Sequence, residues 1–273
     1  MQLGIFAKTF PEVGALPVLR AVRAAGYDVT QFNLSCVGLP SLPDALDSTV
    51  VQEVAQASAE TGISIAALSG TYNMAHPDAA VRDQGLRRLE VLMRHAPALG
   101  TRLITLCSGT RDPDDQWAYH PDNATAEAWT VMSREMARAA ELAQRYGIDL
   151  GIEPEMTNVV SSARKARELL DTLGSPRLKI VLDPANLFEY GDTALSRERT
   201  REAVDLLGND LAMAHAKDRR ADGRFTFPGD GVVDFPDFIA LLRGAGFQGP
   251  LVTHGLSAAE APGVAEFLRG LLT

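Results

Sequence analysis

Cysteine is scarce: the chain of 273 residues has only two, Cys36 and Cys107, each inside an apolar stretch. Two such thiols cannot build a disulfide framework or a cysteine-based zinc site, and they fit a reducing, cytoplasmic setting. Excess positive charge is also missing. With 26 Lys and Arg against 35 Asp and Glu, the formal net charge is −9, and an acidic surface repels both a nucleic-acid backbone and an anionic membrane at long range. Neither is expected as a partner. No apolar run is long enough to span a bilayer, and Met1–Lys8 lacks the basic and apolar regions of a signal peptide. There is no low-complexity tract or Ser/Gly linker, so residues 1–273 read as one domain. A Gly-rich phosphate turn after the first strand is absent as well. Phe6-Ala7-Lys8-Thr9-Phe10 stands there instead, which argues against a doubly wound dinucleotide-binding sheet.

What is present is an alternation of short apolar runs and longer segments with helical spacing. The runs predict eight strands, at Leu3–Phe6, Val29–Leu34, Ser64–Ser69, Leu103–Cys107, Asp149–Glu153, Lys179–Asp183, Leu211–His215 and Leu251–His254. Helical patterns between them include Leu16–Ala25, Val50–Thr61, Ala79–Leu99, Thr125–Tyr146, Ala163–Leu173 and Phe235–Ala245. Gly26, Gly62, Gly100, Gly147 and Gly246 fall where a helix needs a left-handed end. Eight βα units of about 30 to 40 residues suit a single (β/α)8 TIM barrel. The long connections Ser69–Pro77, Ser108–Asn123 and Lys217–Asp234 then lie on the face where such barrels carry their sites.

Four of the predicted strands end in a potential metal ligand: Glu153, Asp183, His215 and His254. Each closes an apolar run, where an unpaired charge is costly to bury, and the last inward residues of barrel strands converge on a common centre. Two carboxylates and two imidazoles suit Mn²⁺, Co²⁺, Zn²⁺ or Fe²⁺ better than Ca²⁺. Any one of them alone would more simply be a satisfied buried polar group. Strand alternation puts Glu155 on the face of Glu153 and Lys217 on that of His215. Around these, Lys8 and Asn33 are candidates for contacts to substrate hydroxyls. His76 could line a pocket or cap its own loop. Trp117 and His120, in the loop after the fourth strand, suit stacking and hydrogen bonding to a sugar, with a self-packed surface loop as the alternative.

With Ile152-Glu153-Pro154-Glu155, Leu182-Asp183-Pro184-Ala185-Asn186-Leu187, His215-Ala216-Lys217-Asp218 and Pro228–Phe235, the chain resembles the xylose-isomerase-like TIM-barrel superfamily over nearly its whole length. The likeness is strongest to its sugar phosphate isomerase and epimerase branch. The resemblance implies one divalent metal ion, Mg²⁺ included, on Glu153, Asp183, His215 and position 254, with a small carbohydrate as substrate and homo-oligomerisation. Two departures stand out: His254 occupies a place where many members have Glu, and Asn186 one where several sugar epimerases have a substrate-contacting His.

A cation on two oxygens of a hydroxy-carbonyl sugar stabilises the enediolate left when a neighbouring proton is removed. Glu153 is the leading base, and His254, Glu155 or Lys217 could carry the second proton. The expected activity is isomerase or epimerase; a lyase or dehydratase on a keto-sugar or inosose shares the first step. Of other classes, a non-catalytic sugar-binding barrel remains an alternative. A trinuclear-zinc DNA-repair nuclease is excluded, since five histidines, Asn186 and the net charge of −9 cannot supply its ligands and basic groove. No phosphate cradle is seen.

Overall fold

The computed structural model describes residues 1–273 and forms a closed barrel of eight parallel strands wrapped by helices. In chain order the strands are β1 (Leu3–Phe6), β2 (Val29–Phe32), β3 (Ser64–Ser69), β4 (Leu103–Cys107), β5 (Asp149–Glu153), β6 (Leu178–Leu182), β7 (Leu211–Ala216), the short β8 (Asp218–Arg219) and β9 (Phe225–Thr226), and β10 (Leu251–Thr253). The helices are α1 (Ala15–Ala24), α2 (Ser48–Thr61), α3 (Ala79–His95), α4 (Ala126–Tyr146), α5 (Ala163–Leu173), α6 (Thr193–Leu207), α7 (Phe235–Gly244) and α8 (Ala261–Leu272). β10 closes the barrel by pairing with both β7 and β1, while β8 and β9 form a separate antiparallel hairpin inside the Lys217–Asp234 connection. No helix is long and apolar enough to cross a membrane.

Three strands, β2, β6 and β10, stop earlier than their apolar runs suggest, the first two for the same reason. Asn33 and Asp183 each accept a hydrogen bond from the backbone N–H two residues on and so cap a short 3-10 turn, which takes them out of the ladder. The glycines expected at helix ends do have positive φ, +69° at Gly62 and +65° at Gly147 among them. Spacing did not single out α6 and α8.

The barrel lumen places the site. Ala67, Leu103, Val181, Met213 and Val252 form a small apolar cluster of their own, apart from the main core between sheet and helices. Because strand side chains alternate with a period of two, the next inward residues toward the C-terminal ends are Ser69, Thr105, Asp183, His215 and His254. A dry apolar layer thus floors a polar one.

Candidate metal centre

The polar layer opens into a cavity of about 480 Å³ at the C-terminal mouth, walled among others by Glu153, Glu155, His215, Lys217, His254, Lys8, Asn33 and Trp117. Ligand atoms from Glu153, Asp183, His215 and His254 all lie within 4.8 Å of one another. Nδ1 of His215 is 3.3 Å from Oε1 of Glu153, and Nε2 of His254 is 3.1 Å from Oδ2 of Asp183. The same Asp183 oxygen takes Nζ of Lys217 at 3.2 Å, while Oδ1 is held by the amide of Ala185. The four residues predicted from the strand ends are therefore brought together.

Burial alone would push both carboxyls up. In Glu153 the His215 imidazole outweighs it, and in Asp183 Lys217 and His254 do, so both are held below the usual carboxylate range. Burial likewise pulls Lys217 down, but Asp183, Glu153 and Glu155 together hold it above its ordinary value. Lys217 is thus a fixed positive charge, with its ammonium also donating to Asn186 Oδ1 at 2.8 Å and lying 3.9 Å from the Phe225 ring centre. Burial and the neighbouring His215 and Lys217 lower the pKa of His254, favouring its neutral form. Glu155 is pushed up to about 7 by burial and by the negative charge of Glu153. Glu153 and Asp183 thus stay ionised, and two carboxylates with two imidazoles make a donor set suited to a divalent cation.

The remaining predicted residues divide. Lys8, Asn33 and Trp117 line the cavity, Trp117 with 47% of its surface exposed. His76 and His120 do not. His76 bonds Pro113 O in the loop after β4 and the Asp78 amide in its own loop, and His120 accepts from the Asp122 amide and caps a 3-10 turn. Asn186 bridges two of the site's residues: its amide nitrogen donates to Glu153 Oε1 at 2.8 Å and its oxygen accepts from Lys217.

Sequence reasoning missed two residues. Gln31, in the middle of β2, bonds Nε2 of His215 at 2.9 Å. Asp218, fully buried, accepts four backbone N–H groups, from Arg219, Gly229, Gly231 and Val233. A Cβ on Gly231 would come within 2.3 Å of the Asp218 carboxylate, so the Gly-Asp-Gly run is there to let the loop close on it. The Asp218→Ala variant should be less stable by about 3 kcal/mol, since four backbone donors, two of them in buried bonds, lose their acceptor. Thermal unfolding would show this as a fall of roughly 6–12 °C, and an unchanged midpoint would contradict it.

Residues 19–271 match the family model of the xylose isomerase-like TIM barrels, and the chain belongs to that family. Among curated relatives it is 27% identical over 271 residues to the L-ribulose-5-phosphate 3-epimerase UlaE of Shigella flexneri serotype 5b (strain 8401), covering 96% of this chain and 90% of that protein. Among solved structures, the apo 3-keto-D-glucoside 4-epimerase YcjR from E. coli superposes with a TM-score of 0.78 at 18% identity, covering 100% of this chain and 99% of that one. A D-tagatose 3-epimerase-like protein gives 0.79 at 15%, covering 100% and 97%.

Proposed function

We propose that this protein is a divalent-metal-dependent epimerase or isomerase of a small sugar or keto-sugar, working by removal and return of the proton beside a carbonyl. The observation that carries this reading is the cluster of two carboxylates and two imidazoles, with ligand atoms within 4.8 Å of one another, opening on a polar cavity that also holds Glu155. The likeness to UlaE supports a sugar as the substrate. Glu153, Asp183, His215 and His254 would hold the ion, which when bound polarises the substrate carbonyl and steadies negative charge on its oxygen. Two anionic and two neutral ligands balance a divalent charge.

The chain's own groups divide the remaining work. Oε1 of Glu153 is engaged by Asn186 and His215, and Oε2, free of such partners, accepts the substrate proton. Glu155, whose carboxylate makes no hydrogen bond within the chain, returns a proton from the cavity wall. Lys217 stays charged and positions Asp183. Trp117, also on the cavity wall, stacks on the substrate. Trp117→Ala should then raise KM about tenfold, the loss of roughly 1.4 kcal/mol of stacking, at unchanged metal content; an unchanged KM would leave the loop as scaffold. For His254, the ligand role predicts that His254→Glu keeps its metal, because a carboxylate oxygen replaces the ring nitrogen. Metal loss measured by elemental analysis would contradict that.

The function itself is tested by incubating metal-loaded protein in D2O with L-ribulose 5-phosphate, D-tagatose and a 3-keto-glucoside, followed by proton NMR. Deuterium entering beside the carbonyl, with every oxygen retained and the exchange stopped by chelator, is expected. Loss of water from the sugar would make the protein a lyase. Absence of exchange in all three would overturn the epimerase reading for these substrates.

A further inference from the structure

We infer that Gln31 is the positioning residue for His215: it keeps an imidazole proton on Nε2 and turns Nδ1 toward the metal-binding cluster. This rests on the metal-site reading above. Gln31 is 5% exposed on a strand whose other residues, Val29, Thr30 and Phe32, are buried too, so its amide must be satisfied inside the barrel. Its Nε2 donates to Ser69 Oγ at 3.1 Å and to Thr105 Oγ1 at 3.0 Å. The Thr105 hydroxyl has the Leu68 carbonyl 3.5 Å away to take its proton, which leaves an oxygen lone pair for Gln31, and the two hydroxyl contacts put the amide nitrogen on that side. Oε1 therefore faces Nε2 of His215 at 2.9 Å. An amide oxygen can only accept, so Nε2 must carry a proton.

The other ring nitrogen, Nδ1, is 3.3 Å from Glu153 Oε1; a carboxylate oxygen only accepts, so Nδ1 carries a proton in the metal-free protein and gives it up when a metal binds, while the Gln31 bond keeps the proton on Nε2. The strand order matters here. β2 is separated from β7 by β1 and β10, so Gln31 reaches across the lumen, and the Ser69 and Thr105 hydroxyls of β3 and β4, the next strands on its own side, brace it from behind. A histidine ligand oriented this way by its second nitrogen binds metal in one tautomer and one ring setting. Gln31 is uncharged, so it orients the ring without adding negative charge behind it.

The test uses metal-free protein titrated with Zn²⁺ by calorimetry, for the wild type, Gln31→Met and Gln31→Glu. Methionine keeps the length and removes the acceptor, and Zn²⁺ affinity should fall about 10- to 100-fold. Glutamate restores an acceptor and should bind within a few-fold of wild type. Thermal unfolding of the metal-free proteins reports whether Gln31→Met is folded. If it is not, the ¹⁵N spectrum of Zn²⁺-loaded wild type decides alone: Nδ1 bound and Nε2 protonated supports the assignment, whereas a metal-bound Nε2 overturns it. Equal affinity of wild type and a folded Gln31→Met also overturns it. A wild type that takes up no Zn²⁺ would instead sink the metal-site reading, a failure visible before any variant is made.

Discussion

An Asp183→Ala protein should lose most of its metal and about a thousandfold or more of its turnover, since the charge stabilisation forfeited is on the order of 4 kcal/mol. Asp183 is 1% exposed, and one of its oxygens takes both Lys217 and His254. Removing it deletes a ligand anion, leaves the Lys217 ammonium buried without its partner, and releases His254 to turn away. The lost ion pair also costs about 3–5 kcal/mol of stability, so Asp183→Asn should be made beside it. Asparagine keeps the shape, and its side-chain oxygen can still cap the turn at Ala185, while removing the charge, and it should fold yet bind metal poorly. Metal content by elemental analysis and turnover in the D2O assay check both variants. Wild-type metal content in folded Asp183→Asn would show that the ion, if any, sits elsewhere.

Glu155→Gln carries the second large effect. Glutamine fills the same volume on the cavity wall but cannot exchange a proton, so turnover should fall by about 10² to 10⁴ with metal content unchanged. The separation of the two readouts is informative. Glu155 lies outside the four ligand residues, so a variant that loses metal along with rate would make its role structural, and one with wild-type turnover would hand the second proton to His254.

Much of this was legible in the sequence because barrels convert strand parity into position. An apolar run that ends abruptly in Glu153, Asp183, His215 or His254 signals a charged group at a buried strand end, and the same alternation that makes the lumen floor of Val181, Met213 and Val252 puts three of these residues above it. Gln31 was hidden by the same logic, since a polar residue inside an apolar strand gives no sign of whether it faces lumen or helices until its partners are known. Its parity with Val29 was the available clue. α6 was obscured by composition: Thr193–Leu207 is rich in Arg and Glu and buries only Ser196, Thr200, Ala203, Val204 and Leu207, so its apolar stripe is thin. α8 starts with Pro262 and Gly263, which read as turn residues. His76 and His120 stayed ambiguous in the sequence because loop histidines near prolines offer both pocket chemistry and local capping.

The central claim is that Glu153, Asp183, His215 and His254 share one divalent ion. Diffraction from crystals of protein loaded with Mn²⁺, recorded so that manganese scatters anomalously, tests it most directly. The account predicts a single anomalous peak at the mouth of the barrel, about 2.0–2.3 Å from an atom of each of the four residues, allowing the usual first-row bond lengths. Loaded crystals with no peak there, or with the ion bound at another place while these four side chains keep their mutual hydrogen bonds, would contradict it.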